Sequence, residues 1–87
     1  MRTIKLTGRE ATVLRAIGFA EGMLGAELQD NTRMEPDDIT DTLNSLISAG
    51  FVESVPYRDE VELAELPVTS FEVNAAYAHE LKEALRR

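Results

Sequence analysis

Hydrophobic residues recur with a helical period in the middle of the chain. They stand at i, i+4, i+7 and i+8, a spacing that places them on one face of an α-helix, and they are Ile39, Leu43, Leu46 and Ile47. Pro36 suits the first turn of this helix because the N–H that it lacks would have no partner there. Gly50 fits the left-handed position at which many helices end. The pattern therefore predicts an amphipathic helix over about residues 36–49.

Three other segments also carry helix signals. Thr7 and Glu10 match the T-x-x-E capping box, in which each residue's side chain bonds the other's backbone N–H. Leu24 and Leu28 are four residues apart, as expected for a short second helix. Asn74 has the side chain of an N-cap and precedes an apolar-periodic segment. The helices predicted from these signals span about residues 8–20, 24–31 and 75–86.

Shorter alternating segments predict a β-hairpin between the third and last helices. Its strands span about residues 51–56 and 68–73, with Pro56 at a strand end, where proline is tolerated. The segment Val61 to Leu66 fits either an extended wing or about one and a half helical turns. We favour the extended form because Pro67 and the β-branched residues after it are typical of a hairpin. The alternation of Thr3 to Leu6 also permits a short edge strand.

The predicted fold class is α+β, mainly α, in a single domain spanning residues 1–87. A chain of 87 residues is too short to form two hydrophobic cores. Apolar residues make up 44% of the chain and charged residues 29%, which is typical of a globular protein and does not indicate disorder.

Several functional classes lose support from what the chain lacks. The longest apolar run has only five residues, Ala16 to Ala20, so we expect no membrane segment and a cytoplasmic location. The chain has no cysteine, and His79 is its one histidine, so we expect no metal site and no cofactor. No phosphate-binding loop or nucleophile motif is present, and we expect no enzymatic activity. An enzyme or a ligand sensor would require a concave pocket with convergent polar groups.

The charge distribution narrows the range of partners. The formal net charge is −7, and residues 21–72 hold two arginines against thirteen acidic residues. Because the neutralisation of phosphates supplies most non-specific affinity for nucleic acid, this balance opposes binding to a polyanion.

Two segments together resemble a known family of domains. They are GAELQDNTRMEPDDITDTLNSLISAGFVES and FEVNAAYAHELKEAL, which contain a short helix, the pattern L-x-x-L-x-x-x-G-F-V and a polar N-cap after the returning strand. In this they resemble the winged helix-turn-helix modules of bacterial transcriptional regulators of the multiple-antibiotic-resistance and arsenic-repressor type, over roughly residues 7–85. The resemblance implies a three-helix core, a β-hairpin wing and a C-terminal helix. It identifies a fold, and fold alone does not establish function.

In DNA-binding members of these families, the third helix enters the major groove. The resemblance places the reading positions at Asp37, Asp38, Thr40, Asp41, Asn44 and Ser45. No lysine or arginine occurs between Met34 and Tyr57, so the common contact of a basic side chain with guanine is missing. We therefore interpret this helix face as a contact surface for a protein partner in a regulatory assembly. Another explanation stays open, since acidic residues also stabilise the first turn of a helix through its dipole.

The alternative function is a transcriptional regulator that binds duplex DNA through other residues. Its possible nucleic-acid contacts are Arg33, Arg58 and the basic N-terminal residues Arg2, Lys5, Arg9 and Arg15. Convergence of the four N-terminal cations on one face with Arg33 or Arg58 would favour DNA binding, whereas pairing of those four with the central acidic residues would oppose it.

We also predict a homodimer. In related modules the terminal helices commonly form the dimer interface, and the corresponding apolar residues here are Tyr77, Leu81 and Leu85.

Overall fold

Helices and one small antiparallel sheet make up the fold of the computed structural model, which describes residues 4–86. The α-helices are α1 (Gly8–Ile17), α2 (Gly25–Thr32), α3 (Pro36–Ser48) and α4 (Ala78–Leu85). The strands are β1 (Met23–Leu24), β2 (Val52–Val55) and β3 (Ser70–Val73), and 3₁₀ helices span Leu63–Val68 and Ala75–Tyr77. The predicted mainly helical α+β class is confirmed. None of the helices in residues 4–86 has the length and apolar character needed to span a membrane.

The start of α1 agrees with the prediction, but its end does not. The Glu10 N–H donates to Thr7 Oγ1 at 3.1 Å, and the Thr7 N–H donates to Glu10 Oε1 at 2.9 Å, so the predicted capping box is confirmed. The helix ends at Ile17 rather than near residue 20. Gly18 has φ +76° and its N–H donates to the Leu14 carbonyl at 3.0 Å, and this positive φ stops the helix before the loop.

Helix α3 confirms the apolar stripe. Ile39, Leu43 and Leu46 are fully buried, and Ile47 is half-buried against the same core. Pro36 is the first helical residue, as predicted. Gly50 follows the helix with φ +85°, a conformation that glycine adopts without the steric cost of a Cβ atom.

The sheet order is β1-β3-β2, and both pairings are antiparallel. The hairpin of β2 and β3 agrees with the two predicted strands, although β3 begins at Ser70 instead of residue 68. Strand β1 was not predicted, because two residues are too few to show an alternating pattern. Leu24 was assigned to the second helix, but it lies in β1 and precedes α2.

The segment before β3 is the main correction to the predicted fold. Our preference for an extended Val61 to Leu66 was wrong, since a 3₁₀ helix spans Leu63–Val68. The Glu65 carboxylate accepts the Glu62 N–H at 3.0 Å and caps the first turn. Leu66 is fully buried, so the turn is stabilised by burial that the local pattern did not reveal.

Two predicted terminal elements also change. Residues 4–6 form no strand, and Thr3 of that predicted strand lies outside the described residues. The last helix begins as the 3₁₀ turn Ala75–Tyr77 and continues as α4. The predicted N-cap is confirmed, because Asn74 accepts the Ala76 N–H at 3.0 Å.

The core lies between the helices and the inner face of the sheet. Phe71 of β3 is its largest fully buried side chain. Leu14, Leu28 and Leu81 bring α1, α2 and α4 onto the same cluster as α3. This packing leaves the opposite side of α3 facing solvent.

Candidate functional site

The solvent-facing side of α3 is lined by acidic and hydroxyl side chains. Asp37, Asp41 and Ser45 follow one another at intervals of four residues and are all exposed, because residues one turn apart lie on the same face of a helix. We call these three residues the α3 face. Asp37 also lies in the first turn, where the helix dipole favours a carboxylate.

Thr40 does not belong to this face, which corrects its predicted role as a partner contact. It is only 7% exposed, and its hydroxyl donates to the Pro36 carbonyl at 2.8 Å. A threonine hydroxyl commonly bonds the carbonyl one turn earlier in this way. Thr40 therefore belongs to the interior side of the helix.

Asn44 is occupied by a contact within the chain. Its amide nitrogen donates to the Val61 carbonyl at 2.9 Å, and its amide oxygen accepts the Val61 N–H at 2.7 Å. Val61 is 1% exposed, so Asn44 satisfies both backbone groups of a buried residue. The side chain that was predicted to contact a partner instead ties the segment after β2 to α3.

On the side of α3 that faces α1, two side chains pair with residues of α1. Arg9 lies 3.4 Å from the Asp38 carboxylate, and the Ser45 hydroxyl donates to Glu10 at 3.3 Å. The Arg9 side chain is 64% exposed, so the ion pair contributes only about 0–1 kcal/mol. The pair matters more for the surface charge than for stability, because it holds the Arg9 guanidinium against one of the central acidic residues.

Arg58 is also engaged within the chain. Its guanidinium forms an ion pair with Glu65, and its backbone N–H donates to Ser54 Oγ at 2.8 Å. The Arg58 Nε is buried and has no hydrogen-bond partner among residues 4–86. The charge of Arg58 is therefore compensated within the chain by Glu65.

The other predicted nucleic-acid contacts do not share one structural role. Arg15 donates to the Leu85 carbonyl at 2.9 Å and so binds the end of α4. Lys5 and Arg33 are exposed, and Arg33 adopts a left-handed conformation, φ +58°, at the end of α2. Arg2 lies outside the described residues. Of the four N-terminal cations, Arg9 pairs with a central acidic residue, Asp38, as expected if DNA binding is opposed, whereas Arg15 and Lys5 do not within the described residues.

The residues predicted to form a dimer contact serve the chain's own core. Leu81 is fully buried, Leu85 is half-buried against the core, and Tyr77 packs edge-on to Phe51 with ring centroids 5.2 Å apart. Leu81 is therefore not available to a second copy, and its assignment as a dimer contact was wrong. Homodimer formation itself stays a prediction, with the partly exposed Tyr77 and Leu85 as the remaining members of the predicted contact.

A groove of about 420 Å³ lies beside the end of α3. Its lining comes from α3, the turn after it, β2, the loop after β2 and the residue after β3. It consists of Ile47, Ser48, Gly50, Val52, Glu53, Ser54, Tyr57, Arg58, Asp59 and Asn74. Much of its polar surface already serves the fold. Asn74 donates to the Gly50 carbonyl at 2.8 Å, and Ser54 bonds the loop through Arg58. Within residues 4–86, no group of three potential metal-ligating side chains was found.

Tyr57 is the most exposed large apolar side chain at this groove, at 76%, and its hydroxyl donates to the Asp59 carboxylate. This hydrogen bond, the negative charge of Asp59 and partial desolvation raise the pKa of Tyr57. Each effect favours the protonated phenol, since ionisation would remove the donor and place two negative charges side by side.

We expect this pKa shift to be visible by ultraviolet titration. The chain has two tyrosines, so Tyr77→Phe leaves Tyr57 as the sole source of tyrosinate absorbance. Its midpoint should lie above the ordinary value of about 10, and Asp59→Ala should lower it. The stability that this hydrogen bond supplies should be present at pH values below the pKa of Tyr57 in the unfolded chain. It should be lost as the pH rises through the raised pKa of Tyr57 in the folded protein. An unchanged midpoint in the Asp59 variant would contradict this assignment.

Comparisons of the chain with protein-family models, with curated proteins and with solved structures found no match.

Proposed function

We propose that this chain is a non-enzymatic winged-helix module of transcription-regulator type, and that it acts by contacting a basic protein partner through the α3 face. The proposal follows from the resemblance of the sequence and from the charges around α3. It assigns the contact to Asp37 and Asp41, with Ser45 at the α1 side.

The order of elements supports the winged-helix part of the proposal. Helices α2 and α3 are joined by the short connection 33–35, and the antiparallel pair β2 and β3 follows α3. A last helix then packs on the core through Leu81. This is the succession of core helices, hairpin and C-terminal helix that the resemblance implies.

One observation carries the choice of a protein partner over DNA. Arg9 and Arg58 pair with Asp38 and Glu65, while Asp37 and Asp41 are exposed. A phosphate backbone approaching this helix would meet carboxylates, and the release of counterions that drives nucleic-acid binding would not compensate. Basic side chains of a protein would instead meet complementary charge.

The first test measures DNA binding directly. Fluorescence polarisation is measured with a pool of labelled duplexes at about 50 mM and about 200 mM salt. Affinity that comes from phosphate contacts falls steeply over this interval, so the two measurements identify it. We expect no saturable binding at either salt concentration. Tight, salt-sensitive binding would overturn the proposal and establish the alternative, a DNA-binding regulator.

The second test addresses the α3 face itself. A lysine-rich peptide titrated into ¹⁵N-labelled protein should shift the amide resonances of Asp37 and Asp41, with apparent affinity falling as salt is added. Asp37→Asn with Asp41→Asn should weaken this binding, whereas Glu80→Gln with Glu83→Gln, which removes the same charge from α4, should not. Equal binding by both variants would show that the peptide senses only the net charge.

A further inference from the structure

The sheet has one face on the core and one face toward solvent. In β2, Val52 and Ser54 are buried, whereas Glu53 and Val55 are exposed. Because side chains alternate between the two faces of a strand, Glu53 and Val55 both point away from the core. Residues directly opposite in neighbouring strands share that face. We call this surface the outer sheet face, and its members are Leu24, Glu53, Val55, Ser70 and Glu72.

A row of three side chains crosses the outer sheet face, with an apolar residue at each edge and a serine between them. Ser70 in the central strand is opposite Val55 on one side and Leu24 on the other. Val55 is 54% exposed and Leu24 is 42% exposed. Val68, two residues before Ser70, is also exposed. Single exposed apolar residues are common, but here two of them stand on the same sheet face, on either side of Ser70.

Next to this row, two carboxylates lie directly opposite each other. Glu53 of β2 pairs in register with Glu72 of β3, and both are exposed. Like charges in this arrangement destabilise a sheet. In the described part of the chain, neither carboxylate has a basic nitrogen within 4 Å. The fold thus leaves this repulsion uncompensated, and a cation from outside would relieve it.

We propose that the outer sheet face binds a basic amphipathic segment of another protein. Apolar side chains of that segment cover Leu24 and Val55, and a lysine or arginine lies over Glu53 and Glu72. The partner needs both features. A purely apolar segment would leave the two carboxylates without a cation, and a purely basic one would leave Leu24 and Val55 uncovered.

A second copy of the chain is a poorer occupant of this surface. A two-fold interface brings the same patch of both copies together, so it would bring two Glu53 and Glu72 pairs together in molecules that each carry a net charge of −7. The proposal is also separate from the α3 face, since its residues belong to the strands.

The experiment uses three synthetic peptides of equal length with ¹⁵N-labelled full-length protein. The first places leucine and lysine with helical period, the second has the same composition in scrambled order, and the third replaces lysine by glutamate. We expect saturable shifts at Leu24, Val55 and Glu72 with the first peptide only. No saturation by about 1 mM peptide, the range of very weak binding, would overturn the proposal. Equal binding of the scrambled peptide would do so as well.

Variants then assign the binding to this surface. Glu53→Gln with Glu72→Gln removes the charge without altering side-chain size, and Val55→Thr removes apolar area while keeping a β-branched residue. Each should raise the dissociation constant by about tenfold, the effect of losing about 1.4 kcal/mol. Glu80→Gln with Glu83→Gln on α4, where both side chains are exposed, is the charge-matched control and should leave the constant unchanged. A loss of binding in that control alone would overturn the proposal. Sedimentation showing that the free protein dimerises through this face would overturn it as well.

Discussion

Gly25→Ala is expected to lower the free energy of unfolding by about 3 kcal/mol, the upper end of the usual range for overpacking. A Cβ atom on Gly25 would overlap the Leu66 carbonyl oxygen and lie 2.6 Å from the carbonyl carbon. Gly25 is itself held by its N–H, which donates to the Thr69 carbonyl at 2.9 Å. The obstacle is backbone rather than a flexible side chain, so α2 and the 3₁₀ helix would have to separate.

Gly8→Ala is the matched control for this change. Gly8 and Gly25 are both the first residue of a helix, but a Cβ atom on Gly8 would meet nothing within 4 Å. We expect this variant to be neutral or stabilised by up to about 1 kcal/mol, since alanine restricts the unfolded chain. Urea unfolding followed by circular dichroism measures both variants. Similar midpoints for the two would contradict the close packing of α2 on the 3₁₀ helix.

Asn44→Ala is expected to cost about 2–4 kcal/mol, because it leaves two buried backbone groups without partners. The lost bonds are those to the N–H and carbonyl of Val61, a residue that the core covers almost completely. Besides its effect on urea unfolding, the change should speed hydrogen exchange of the Val61 amide, since that N–H loses its acceptor.

Asp41→Ala provides the control for Asn44, one turn earlier on the same helix. Asp41 is exposed, and changes at such positions usually stay within about 0.5 kcal/mol. If Asn44→Ala were equally mild, the tether to Val61 would be of little consequence. Asn44 would then return to the set of side chains available to a partner.

The role of Asn44 bears on how the acidic helix is interpreted. In the resemblance, its position is one that reads bases, and asparagine suits adenine. Here the side chain faces the segment after β2 and has both amide atoms bonded. The available surface of α3 is accordingly narrower than the six residues that were predicted, and its exposed charge is that of Asp37 and Asp41.

The sequence by itself determined the elements whose signals lie within a few residues of one another. The capping box of Thr7 and Glu10, the apolar stripe of α3 and the glycine after it are local features, because capping bonds and helical faces depend on neighbours in the chain. The acidity of α3 was equally readable. Together with the alternating segments 51–56 and 68–73, these features were sufficient for the mainly helical class and for the hairpin.

Only the tertiary structure decided which side chains remain available at the surface. Thr40 and Leu81 are buried by elements distant in sequence, and Asn44 bonds a residue seventeen positions away. The same holds for the 3₁₀ helix Leu63–Val68, which is stabilised by the burial of Leu66, and for the pairing of Glu53 with Glu72 across two strands. Burial and strand register depend on contacts between distant segments, and local hydrophobic periodicity carries no information about them.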